Sequence, residues 1–105
     1  MDPDQPIRQG VPALDAQALA QGLVALPLWR LSQDGRAIRR DWKLRDFAQA
    51  AQLAALAAWQ AEAANHHPDI AFGWGHLRVS FTTHSAGGVT MNDLIMAARL
   101  DRAAE

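Results

Sequence analysis

The sequence predicts an α+β domain: a four-stranded antiparallel sheet with three helices packed on one face, in the order α-β-β-α-β-β-α. Three observations predict it. Residues 45–64 form an alanine-rich stretch free of Gly and Pro, the pattern of a long helix. Two pairs of short alternating runs, each broken by a turn signal, flank that stretch and read as hairpins. The chain has 105 residues, enough for one modest core but not two.

Residues 1–13 hold three of the five prolines and show no periodicity, which reads as a flexible N-terminal arm before a single domain over 14–105. From Asp15, a suitable N-cap, Leu14, Ala18, Leu19, Gly22 and Leu23 fall on one helical stripe, and Pro27 ends it. Runs at 28–32 and 36–42 flank Asp34-Gly35 and read as the first two strands. Arg40 interrupts the period-2 spacing of Ile38 and Trp42. In the long helix, Phe47, Ala51, Ala54, Ala58 and Ala61 share one face at 100° per residue. Leu53 and Leu56 fall on the opposite side and form the candidate contact for self-association.

After Pro68, Ile70, Phe72 and Trp74 alternate, as do Leu77, Val79, Phe81 and Thr83. With Gly75-His76 as a two-residue loop, matching the apolar faces pairs Trp74 with Leu77, Phe72 with Val79 and Ile70 with Phe81. Extended, this register sets His67 opposite His84, which would end the last strand. Gly87-Gly88 marks a turn, and Thr90-Met91-Asn92-Asp93 reads as a capping box opening a final helix over 91–102.

Composition excludes several functions. The chain has no cysteine, so it carries no disulfide, thiolate nucleophile or cysteine zinc site. A net charge of −1 supplies no field for nucleic acid or membrane, and no apolar run is long enough to span a bilayer. Arg36, Arg39, Arg40, Lys43 and Arg45 read as a solvated strand edge rather than a nucleic-acid surface. The first residues lack the charged and apolar regions of a secretory signal. A cytoplasmic protein is expected.

The candidate chemistry is histidine chemistry. His66 and His67 close the long helix, and the hairpin returns His84 toward them, with Glu62 and Asn65 on the last helical turn. Imidazole exchanges protons near neutrality. No nucleophile elbow is present. Three imidazoles could bind a metal, but adjacent histidines on extended chain point apart, and no H-x-H or H-x-x-x-H spacing occurs.

Glu62, then Asn65-His66-His67-Pro68, then Thr82-Thr83-His84 resembles the pterin-4a-carbinolamine dehydratase family. Leu26-Pro27-Leu28-Trp29, the segment Ile38 to Phe47, and Thr90-Met91-Asn92-Asp93-Leu94 are similar to further family segments. The resemblance covers about residues 14–102. It implies removal of water from a 4a-hydroxytetrahydropterin in tetrahydrobiopterin recycling, without metal or organic cofactor. It implies His66, His67 and His84 as the acid–base set. Asn65, Thr82 and Thr83 would line the pterin, and Glu62 would orient a histidine or the pterin edge. It also implies homodimers or tetramers through the helix bearing Leu53 and Leu56. The alternative is a binding partner of the same fold, a transcription-factor dimerisation cofactor or a Rubisco assembly factor.

Overall fold

The expected α+β architecture is present in a computed structural model, which describes residues 2–105. Its elements are α1 (Ala16–Val24), β1 (Arg30–Leu31), β2 (Ile38–Lys43), α2 (Phe47–Ala64), β3 (Asp69–Gly73), β4 (His76–Phe81), a 3₁₀ turn (His84–Ala86) and α3 (Met91–Ala104). The strands pair antiparallel in the order β1-β2-β4-β3. No described helix is long and apolar enough to cross a membrane.

The two faces of the sheet follow from period-2 alternation. Across β2 and β4, Ile38 pairs with Phe81, Arg40 with Val79 and Trp42 with Leu77. Ile38, Trp42, Leu77, Val79 and Phe81 are buried and join one cluster with Leu19, Ala54, Ala57 and Leu94 from the helices. Arg40 faces this same side. Its charge meets Asp101 of α3 at 2.5 Å, and its guanidinium lies 4.1 Å from the Trp42 ring centroid, so an inward cation is paired and stacked. The other face is charged, with Asp41 held between Arg30 and Arg78. α1 comes close to α3 at Gly22, where a Cβ would lie 2.5 Å from Leu94 Cδ1.

Four expectations are corrected. The first strand is only Arg30–Leu31 rather than 28–32, because the Trp29 N–H bonds to the Leu26 carbonyl at 2.9 Å and holds 26–29 in a turn. Trp29 itself is core, 4% exposed.

The second hairpin is shifted. Phe72 pairs with Leu77, Ile70 with Val79 and Gly73 with His76, which makes Trp74-Gly75 the loop. Both registers keep the apolar residues on one face, so face-matching cannot separate them. Local sterics can. Gly75 takes φ 77°, and Gly73 leaves room for the exposed His76 ring, which lies 2.6 Å from where a Cβ would sit. Trp74 is left 72% exposed.

His84 consequently does not end β4. The strand stops at Phe81, Thr83 bridges to Gly88, and His84 opens the 3₁₀ turn. Finally, α2 is rotated relative to expectation. Its buried residues are Ala50, Ala54, Ala57 and Ala61, and Leu53 packs against the core, whereas Phe47 and Trp59 are exposed. Alanines on every side give the helix a weak amphipathic signal.

Residues 2–13, expected as a flexible arm, contain no helix or strand and lie along α3. Asn92, Arg99 and Arg102 bond to Arg8, Pro3, Gln5 and Asp4.

Candidate active site

The end of α2 positions two of the histidines. Asn65 takes φ 52° and ψ 41°, the left-handed conformation that Asn tolerates best after Gly. The Asn65 N–H bonds to the Glu62 carbonyl at 3.2 Å, and the His66 N–H to the Ala61 carbonyl at 3.1 Å. This is a Schellman ending, which satisfies two terminal carbonyls and turns the chain sharply. His66 therefore points back under the sheet while His67 points out.

The His66 side chain is 12% exposed, and its Nε2 lies 2.6 Å from Asp93 Oδ1. Its ring stacks on Phe81, with centroids 6.3 Å apart and planes 10° apart. Asp93 is fully buried. Its other oxygen accepts the Thr90 backbone N–H and the Thr83 hydroxyl, both at 2.8 Å, and Thr90 Oγ1 lies 2.9 Å from Thr83 Oγ1. The expected capping box is thus present, and its carboxylate does two things: it caps α3 and fixes a histidine. A carboxylate accepts, so Nε2 is the donor in this contact.

The other expected residues are arranged differently. His67 is about half exposed and bonds to Glu62 Oε1 at 2.8 Å. Thr82 donates its hydroxyl to the Arg36 carbonyl. His84 makes no side-chain hydrogen bond among the described residues. Two cavities lie side by side here. The larger, about 570 Å³, is lined by Asn65, His66, Thr83 and Ser85, with arm residues 7–11 opposite. The smaller, about 310 Å³, is lined by Asp34, Arg36, Thr82 and His84. Residues 82–85 alternate between the two, so the chain there forms the ridge separating them. His66 and Thr83 face one side of the ridge, and Thr82 and His84 the other.

Among the described residues, no three His, Asp or Glu side chains gather closely enough to hold a metal ion. The arrangement can instead orient an imidazole against a fixed carboxylate beside a cavity large enough for a bicyclic ligand. Sequence reasoning missed Asp93 as a site residue. Its capping motif was legible, but its contact with His66 joins positions far apart in the chain.

Comparison with known proteins bears on the family and the fold. Residues 12–103 match the family model described as pterin 4 alpha carbinolamine dehydratase. A protein of Paracoccus denitrificans, provisionally named pterin-4-alpha-carbinolamine dehydratase, is 67% identical over 97 residues, covering 92% of this chain and 91% of its own. One of Methylococcus capsulatus with the same provisional name is 38% identical over 94% of this chain and 87% of its own. Among solved structures, a transcriptional coactivator/pterin dehydratase from Brucella melitensis aligns with a TM-score of 0.83 and 33% identity, covering 89% of this chain and 99% of that one. A pterin dehydratase-like RuBisCO assembly factor of the alpha-carboxysome shares the fold, with a TM-score of 0.61 and 22% identity over 72% of this chain and 88% of its own.

Proposed function

The chain belongs to the pterin 4 alpha carbinolamine dehydratase family, and from that premise we propose that it dehydrates a 4a-hydroxytetrahydropterin to the quinonoid dihydropterin by histidine acid–base catalysis. In this reaction the C4a–O bond breaks as the hydroxyl takes a proton. The ring nitrogen loses its proton, a C=N bond forms and water leaves. One acid and one base suffice, and no redox partner is needed. General acid–base help of about 10²–10⁴-fold is the scale expected for such a step.

The observation that carries this reading is His66, held through Nε2 by a fully buried carboxylate at the wall of the larger cavity. Nδ1 of His66 is the base in this proposal. Asn65 and Thr83 line the same cavity and contribute polar contacts. Thr82 and His84 reach the substrate from the smaller cavity across the ridge, so the substrate must extend over residues 82–85 for His84 or His67 to supply the acid, with Glu62 orienting His67. The client is the recycling of tetrahydrobiopterin.

The test is dehydration of a 4a-hydroxytetrahydropterin by purified protein, with and without chelator. Turnover above the spontaneous rate, unaffected by chelator, is expected. His66→Ala and His84→Ala should each lower it by about 10²-fold or more; wild-type rates in both variants would sink the site. The names of two structural neighbours favour a second reading, a binding or assembly role. That role alone would leave the protein at the background rate.

Assembly through α2 is part of the proposal. Leu53 is partly buried against the core and lines a surface groove with Leu56, so the surface to test is Leu53 and Leu56 with Trp59, which is 77% exposed. Leu56→Glu should reduce the sedimenting mass without unfolding the chain. An unchanged mass would place the interface elsewhere.

A further inference from the structure

We infer that residues 7–11 form the outer wall of the larger cavity, and that Arg8 there selects pterins carrying an anionic group on their side chain. The inference rests on reading this cavity as a pterin site. These residues precede the 12–103 span that matches the family model, so the family assignment does not rest on them.

The wall is built, not draped. The nearly buried Asn92 amide accepts the Arg8 N–H at 3.1 Å and donates to the Arg8 carbonyl at 2.6 Å. It pairs with the arm as a neighbouring strand would. Arg99 donates to the carbonyls of Pro3 and Gln5, each at 2.6 Å. Ile7 packs against the core. Asn92 fixes the arm and its neighbour Asp93 fixes His66, so one turn of α3 sets the positions of both Arg8 and the histidine ring.

The charge at this wall is one-sided. Arg8 is the one permanent cation lining the cavity, and no carboxylate lines it. Arg8 is exposed, and its guanidinium has no hydrogen-bond or ion-pair partner among the described residues, although its main chain is held on both sides. A neutral pterin gives such a group no counter-charge. A pendant carboxylate or phosphate gives it two oxygens in the geometry that a guanidinium fork matches.

Fluorescence titration tests this with three probes: 6-hydroxymethylpterin, its phosphate monoester and pterin-6-carboxylate. Wild-type protein should bind at least one anionic probe about tenfold more tightly than the neutral one, with the preference shrinking as salt rises. Which anion is preferred identifies carboxylate or phosphate as the group recognised. Arg8→Gln should bring the ratio of affinities to about one. Its main-chain bonds to Asn92 persist, so the arm stays in place. Equal affinities in the wild type, or a preference that survives Arg8→Gln, would overturn the role of Arg8 while leaving the pterin site standing. Failure of all three probes to bind would overturn both.

Discussion

Asp93→Asn should lower turnover by about 10²–10⁴-fold, or about 3–5 kcal/mol of transition-state stabilisation, close to the effect of removing the histidine it holds. The substitution keeps the size of the side chain and can keep the cap on α3, because an amide oxygen still accepts the Thr90 N–H. What it loses is a second acceptor. Asp93 takes the Thr90 N–H and the Thr83 hydroxyl on one oxygen and His66 on the other. An amide that accepts from Thr90 and Thr83 turns its NH₂ group toward His66. A donor then faces Nε2, the ring proton moves to Nδ1, and the basic nitrogen is removed from the cavity.

Ring-nitrogen NMR distinguishes this from simple loosening. The wild type should show His66 as the Nε2–H tautomer and Asp93→Asn should show the other. A variant with the wild-type tautomer and wild-type turnover would show that the carboxylate does not act through the ring. Asp93→Ala is the harsher variant. It leaves an N–H, a hydroxyl and an imidazole without an acceptor in a fully buried place, so it should also cost about 3–5 kcal/mol of stability.

The residues that were legible in the sequence are those whose signal is local. The run over 45–64 without Gly or Pro marks the long helix, and α2 spans Phe47–Ala64, one residue short of the turn on which Asn65 was expected. Thr90 and Asp93 mark a helix start three residues apart. The alternating runs give the strands, and their parity gives the buried face. What was illegible depended on long-range fit. Registers two residues apart preserve parity, so the choice between them fell to the space beside Gly73 and the backbone of Gly75. The face of α2 was obscured because alanine occurs on both sides, and burial was decided by what the sheet presented. The N-terminal segment has no periodicity because it is held by Asn92 and Arg99 largely through backbone groups, which every residue carries. The division of residues 82–85 between two cavities follows from β4 ending at Phe81, and no motif encodes that.

Phe81 links the core to the site, and its removal should be as destabilising as that of Asp93. It is 2% exposed, pairs with Ile38 across the central strands, and lies 5.8 Å from the Trp29 ring centroid. Phe81→Ala should therefore cost about 3–5 kcal/mol, a large share of the roughly 5–15 kcal/mol typical of a domain. In thermal unfolding this corresponds to a Tm lower by roughly 15 °C or more. Turnover in that variant would mix lost fold with lost geometry, so Phe81→Leu separates them. Leu keeps most of the volume and should cost about 1–1.5 kcal/mol, but it removes the flat surface against which His66 stacks. The Asp93 bond fixes one atom of the ring, and the nearly parallel Phe81 ring, 6.3 Å away between centroids, limits its tilt. With only the first constraint left, the ring can rotate about the Nε2–Asp93 direction, and the proposed base loses its fixed orientation. Phe81→Leu should therefore stay folded at the assay temperature and lose turnover several-fold, with KM changed less than kcat. Full turnover in a stable Phe81→Leu protein would mean that the carboxylate alone orients the histidine.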